Sequence, residues 1–498
     1  MMKLVGLVAA SAAVMFGQHP VDAYNVVWDT PSKDASGSMP LGNGDVSLNV
    51  WTEPNGDILF YVGKSDAWSE NGQLLKAGRI RMRLNPSPFV AGQPFRQTLN
   101  LRSSEVILQG GAPGSQGKVS IWVEAFNPVI RVDADLQKPT EIQVIYERWR
   151  DQTRVLEGLE AEGAYGMNGG AEPLRTLGDS IQMDVEDSVV WYHRNTKSPF
   201  AAMLKHQGLG EVLPGMTDPL QNRTFGALVR GEGLGRINPT TLRSKASVQK
   251  QAISILVHSA VTESTEQWLQ ELRNLAAQSS LGTMDERRAG HNKFWGDFWD
   301  RSYIRITGGP NAQAVTQAYV LQRYLNACAG RGAYPIKSNG SLFTVDTKTD
   351  ELSFDADYRK GGGAYWFQNT RLVYWPMLAS GDYDMMQPFF GMYREALPLA
   401  LKRTKAYFNH DGAFFPETMY FWGVYANGDY GWAREGKPAS FVQNANLRHH
   451  FTSNLELLTL GLEYAAYFPN DKTFVRSFLG PAADASLTFV DTHYERDS

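Results

Sequence analysis

Over residues 24–261 apolar and polar positions alternate in short runs broken by turn formers. Val46, Leu48 and Val50 alternate with polar neighbours, Pro54-Asn55-Gly56-Asp57 supplies a turn, and Ile58, Phe60 and Val62 resume the alternation. That is a hairpin pattern, because successive side chains of a strand point to opposite faces. Further strands are expected at Ile80-Met82-Leu84, Val106-Ile107-Leu108, Val119-Ile121-Val123, Ile130-Val132, Ile142-Val144-Tyr146, Val189-Trp191-His193 and Ile253-Ile255-Val257, separated by Gly, Pro, Asn and Ser clusters. So many short strands imply a large antiparallel β-sandwich domain over 24–261.

At Thr262 the period changes. Trp268, Leu269, Leu272 and Leu275 recur at helical spacing, and Glu263 and Glu266 sit where a first helical turn favours acid. A helical linker is expected over 262–310, and beyond it helices over 312–329, 369–378, 385–408, 445–468 and 472–494. In the fourth, Leu447, Phe451, Leu455, Leu458, Leu462 and Ala465 form one stripe and Leu457, Leu460, Tyr464 and Tyr467 another. Both faces demand burial, which suits a layered array such as a toroid of paired inner and outer helices over 311–498. The glycine-rich and aromatic connections 354–366 and 411–437 are then the candidate site loops.

Charge narrows the partners: 48 Lys and Arg against 52 Asp and Glu leave a formal −4, with no basic excess for a phosphate backbone, so nucleic acid is not expected. Met1-Met2-Lys3, an apolar run from Leu4 to Phe16 and the small-x-small Val21-Asp22-Ala23 read as a secretory signal over 1–23, and the protein is expected to be secreted. That run is shorter than the ~20 residues needed to span a bilayer, and no later segment is uniformly apolar over that length, so no membrane association is expected. Cys328, the only cysteine, follows Leu321, Tyr324, Leu325 and Ala327 in a helical pattern and reads as a buried inert thiol. Asn222-Arg223-Thr224 and Asn339-Gly340-Ser341 fit the glycosylation pattern.

Chemistry concentrates in the two connections. The first carries Asp355, Asp357, Gly361-Gly362-Gly363, Trp366, Gln368, Asn369 and Arg371, ending in Tyr374-Trp375-Pro376. A sugar presents an apolar ring face with a fringe of hydroxyls, so its site needs flat aromatics beside carboxylate, amide and guanidinium groups. The same residues also suit a glycine-rich loop with a buried aromatic anchor and an Asn-Thr helix cap. The second connection surrounds Glu417 with Phe414, Phe415, Pro416, Tyr420, Phe421 and Trp422, an apolar setting of the kind that raises a carboxyl pKa for general-acid work. Alternatively, Glu417 caps nearby backbone while the rings fill core. Asp429-Tyr430-Gly431-Trp432 continues this loop toward the same cavity. His449-His450, placed on a helix, would point ~100° apart. With no HExxH, cysteine cluster or acidic calcium loop, neither metal nor cofactor is expected.

Four segments, Met39-Pro40-Leu41-Gly42-Asn43-Gly44-Asp45, Gly63-Lys64-Ser65-Asp66-Ala67-Trp68-Ser69-Glu70, Phe294-Trp295 with Trp299-Asp300-Arg301-Ser302, and Gln368-Asn369-Thr370-Arg371-Leu372 with Tyr374-Trp375, resemble the secreted DUF5703-domain family. That family is similar, remotely, to the glycoside hydrolase family 95 fucosidases. The resemblance implies an N-terminal β-super-sandwich, a helical linker and an (α/α)6 six-hairpin catalytic toroid acting on glycans. In the fucosidases a glutamic acid and a water activated through a carboxylate and asparagines invert the anomeric centre. Asn369 resembles the second asparagine of their Asn-x-Asn motif, while Phe367 stands at the first and removes one water-orienting amide.

The helices after Ala312 are fewer than such a ring needs, so an incomplete toroid is expected, with the relatives' acid and base carboxylates falling beyond the region corresponding to Ser498. The expected activity is inverting hydrolysis of an oligo- or polysaccharide. Asn369 would orient water, Glu417 would be the acid or a ligand to sugar hydroxyls, and Asp355, Asp357, Trp366, Gln368, Arg371, Trp375, Trp422 and Trp68 would shape the pocket. The alternative is a non-catalytic glycan-binding paralogue or inactive fragment. A glycan phosphorylase ranks last, since no phosphate-binding Ser-Gly cluster is evident.

Overall fold

A computed structural model of the chain describes residues 19–309, 311–348 and 352–495. Most of the expected signal segment lies outside them. Its expected cleavage point, after Ala23, falls in the 3₁₀ turn Pro20–Tyr24, whose Val21 is buried.

Fifteen strands form one continuous antiparallel sheet that folds into two layers. The turning element is the 19-residue strand Val129–Glu147. Its first part pairs with Gly117–Val123 and Val248–Val261, and its last part with Leu74–Asn85 and Thr241–Ser244. The sequence suggests two strands here, Ile130-Val132 and Ile142-Val144-Tyr146; they are the two ends of one strand passing between layers. Leu48, Phe60, Val62 and Ile80 from one layer share a core with Val106, Ile121, Val189, Phe225 and Ile255 from the other.

Strands Val189–Arg194, Arg223–Arg230 and Val248–Val261 are apolar on both faces for a second reason. Val190, Leu228 and Leu256 point away from the sandwich core and are covered by Trp268, Leu269 and Leu272 of the helix Thr265–Gln278. Ser264 caps that helix by accepting from the Gln267 N–H, and the following helix, Met284–Arg301, opens with a reciprocal Thr283–Glu286 capping box.

The helical region then docks on the sheet through backbone contact. Gly44 N–H donates to the Cys328 carbonyl at 3.1 Å, and a Cβ on Gly42 would sit 2.2 Å from that same oxygen. Only glycine allows the strand Met39–Gly42 to meet the end of the helix Asn311–Ala329 so closely. Cys328 is buried there, and burial pushes its thiol up to about 12.

Three expected helices differ in detail. The segment 369–378 divides into a short helix Phe367–Thr370, a 3₁₀ turn Arg371–Val373 and the helix Trp375–Ser380, because Pro376 lacks an N–H and fits only a first turn. The expected 445–468 helix starts only at Ser453, so His449 and His450 precede it in irregular chain. The last expected helix is interrupted by a π turn at Val475–Leu479 before Gly480–His493. No helix among the described residues is long and apolar enough to cross a membrane.

Along Ser453–Tyr467 neither apolar stripe is buried throughout. Leu457, Leu460 and Tyr464 of one stripe and Leu458 of the other are buried against Gln387–Phe408 and the terminal helices, whereas Leu455 and Leu462 are 39% and 61% exposed and Tyr467 is exposed as well. Leu460→Ala should therefore cost ~2–5 kcal/mol by urea unfolding, and Leu462→Gln less than ~0.5 kcal/mol.

Candidate functional site

The two candidate connections meet through backbone pairing. Tyr365-Trp366 and Thr418-Met419 form a two-stranded ladder, with Trp366 opposite Thr418. The Phe367 N–H donates to the Glu417 carbonyl at 2.9 Å. The Glu417 carboxylate accepts from the Gln368 N–H and the Ser453 hydroxyl, both at 2.6 Å. Each oxygen is thus engaged, and the group fixes the turn carrying Gln368 and Asn369 to the start of the helix Ser453–Tyr467. Arg371 pairs with Glu456 of that helix. Gln368 and Asn369 are left exposed beside a half-buried Trp366.

A third wall comes from the β region. Tyr165 lies on an excursion between strands and packs its ring 5.7 Å from Trp366. Its hydroxyl donates to Asp429 Oδ1 at 2.9 Å, and burial, then the Asp429 charge, hold the phenol above its ordinary pKa. Asn444 donates to the same Oδ1 at 2.7 Å. Asp429 Oδ2 is buried and has no hydrogen-bond partner among the described residues, as is the case for the Thr370 and Thr418 hydroxyls. A buried carboxylate oxygen without a donor is costly.

Trp366, Gln368, Asn369, Arg371 and Glu417 are therefore gathered, with Asp429 alongside. Trp375 is half-buried and packs on the core. Trp68 is fully buried among Tyr334, Tyr365 and Phe421. Trp422 stacks on Tyr420 at 4.4 Å and lines a separate hollow behind it. Tyr165 carries no sequence signal beyond its glycine-punctuated setting, because nothing local places it against residues some two hundred positions later. Among the described residues no group of three or more His, Cys, Asp or Glu side chains is placed to hold a metal.

Of the two acids of the first connection, Asp357 is buried and Asp355 half-buried. Asp357 accepts from Lys76 N–H at 2.7 Å and Trp149 Nε1 at 2.6 Å, and pairs with Arg150. Arg150 also holds Asp179 at 2.9 Å, and His193 bridges Asp179 at 3.1 Å and Glu70 at 2.9 Å. Burial alone would lower His193, but Glu70 and Asp179 outweigh it and raise the imidazole to about 9. Burial raises Asp179, yet Arg150 and His193 hold it at about 2. Asp355 meets Arg154 at 3.2 Å, and burial followed by the Asp357 charge pushes its carboxyl to about 7.

The architecture is a two-layer antiparallel sheet followed by helices, a fold shared with one solved structure in particular. A putative kojibiose phosphorylase from the human microbiome superposes with a TM-score of 0.53 at 13% identity, covering 94% of this chain and 59% of its own. A bacterial glucoamylase complexed with acarbose gives 0.39 at 10% identity, covering 92% and 59%, and a family GH92 alpha-mannosidase from Bacteroides thetaiotaomicron gives 0.31 at 9%, covering 87% and 53%. Residues 27–304 match the family described as "Domain of unknown function (DUF5703)", and the chain belongs to that family. No curated protein matches it in sequence. The chain spans 59% of the length of the phosphorylase it resembles.

The inward ion chain generates two expectations, both read by urea unfolding. Arg150→Met should cost ~3–5 kcal/mol, because it strands Asp179 and Asp357 without their shared cation. Since the folded His193 value of about 9 exceeds the ordinary 6.5, its contribution is complete below 6.5 and is lost as pH rises through about 9. The wild-type stability should fall across that window, and His193→Gln should flatten the decline.

Proposed function

We propose that the protein is a secreted, carbohydrate-active member of its family, of inverting glycoside hydrolase type, in which this site holds a sugar ring. The helices would be part of an (α/α)6 ring whose mouth carries the site. The observation behind this reading is the unpartnered Asp429 Oδ2, buried beside the Trp366–Tyr165 ring pair and the exposed amides of Gln368 and Asn369. Trp366 offers an apolar face to a pyranose, Asp429 accepts from a hydroxyl, and the amides both donate and accept around the ring.

In this reading Asn369 orients the attacking water at the anomeric carbon. Inversion needs an acid and a base carboxylate separated by ~6.5–9.5 Å to leave room for that water. Glu417 is a positioning group here, because its oxygens are taken by Gln368 and Ser453. That engagement favours, as a second reading, a glycan-binding protein in which this loop supplies no acid.

Reducing-sugar release from plant and algal glycans, with and without phosphate, tests the activity. Turnover independent of phosphate is expected, and strict phosphate dependence would move the reading to a phosphorylase. Asp429→Asn and Asn369→Ala should each weaken oligosaccharide binding at least about ten-fold, the loss of ~1.4 kcal/mol typical of a charged or ligand-facing hydrogen bond. Binding retained after Glu417→Gln, with no hydrolysis by the wild type, selects the glycan-binding reading.

A further inference from the structure

Apart from the candidate site, a hollow of about 280 Å3 lies between the segment 215–219 of the β region, the helix Gln387–Phe408 and the aromatic turn after Tyr420. The stacked Tyr420–Trp422 pair separates the two, since Tyr420 donates its hydroxyl to the Tyr165 carbonyl at 2.6 Å on the far side. Tyr334, Phe421 and Trp422 make an aromatic lining, with Tyr334 and Phe421 centroids 4.2 Å apart. The Trp422 indole N–H is buried and has no acceptor among the described residues.

The polar groups of the hollow come in both senses. Glu395 and Lys402 lie seven residues apart, two turns along the same helix face, and both line it. Neither is paired with an opposite charge among the described residues. Glu395 and Lys402 are exposed to water, so it is the buried indole N–H that a purely apolar ligand would leave unanswered, while a small anion would meet the Glu395 carboxylate. A polyhydroxylated ring suits the whole lining: it stacks on aromatic surface, accepts from the indole and the ammonium, and donates to the carboxylate.

We propose that this hollow is a second saccharide subsite, taking one neutral pyranose ring of a glycan. It rests on the carbohydrate reading of the protein but on none of the residues of the first site.

The test is calorimetric titration of the full chain with maltohexaose, cellohexaose, xylohexaose and mannohexaose. In an Asp429→Asn, Asn369→Ala background, at least one probe should still bind. Adding Thr217→Trp, which fills the hollow from its exposed rim, should abolish that residual binding. Glu395→Ala with Lys402→Ala, two exposed positions, should weaken it at least ten-fold without changing the melting temperature. Residual binding untouched by both sets of changes overturns the subsite. So does a loss of all binding in the background variant while the wild type binds, an outcome that leaves the carbohydrate reading standing. Failure of every probe to bind the wild type overturns the subsite, and the reducing-sugar assay then decides the carbohydrate reading on its own.

Discussion

Alternating charges without access to water fix where the glycine-rich connection lies. Glu70, His193, Asp179, Arg150 and Asp357 form a chain of ion pairs running from the interior of the sandwich to the start of that connection. Each charge is expensive to bury alone and tolerable only between its neighbours, so replacing one link leaves the next without its counter-charge. The connection is thereby pinned at Asp357, nine residues before Trp366, and a Cβ on Gly362 or Gly363 would strike Tyr165 N at 2.4 Å or Gly72 O at 1.7 Å. Close backbone approach and buried charge together deliver Trp366 to its pairing with Thr418.

The early segments that carry the family likeness knit the sheet region from within and tie it to the helical region at Ser65, which accepts from the Ala333 N–H at 3.1 Å, and at Trp68. Asn43 donates to the Glu124 and Asn127 carbonyls and accepts from Val46 N–H, Asp45 receives Lys64 and Ser65, and Glu70 ends the ion chain. Trp68 fills the space between sheet and aromatic turn. These early motifs specify assembly of the fold, whereas the likeness segment from Gln368 to Trp375 carries the amides and guanidinium of the candidate site.

Periodicity made the hairpin Val46–Thr52 with Ile58–Trp68 readable, because one buried face forces period-two alternation. The helix at Thr265 was equally plain from its stripe and acidic first turn. The meeting of Trp366, Asn369 and the Glu417 loop was anticipated from aromatic and amide density. What escaped was long-range. Asp357 has the composition of a sugar ligand and the surroundings of a structural anion, and only Arg150 and Trp149, some two hundred residues earlier, decide between them. Tyr165 is hidden for the same reason, and Pro376 broke a helix that hydrophobic spacing alone would have continued.

Tyr165 has one more implication. A phenol rooted among the strands completes a wall whose carboxylate belongs to the helices, so heredity of the two regions is coupled. A chimera that joined these helices to the sheet of a distant cousin would inherit Asp429 without its hydroxyl donor. Change at this contact within the family is thus constrained to paired change across the junction, and relatives differing at one of these positions should be sought with a compensating difference at the other.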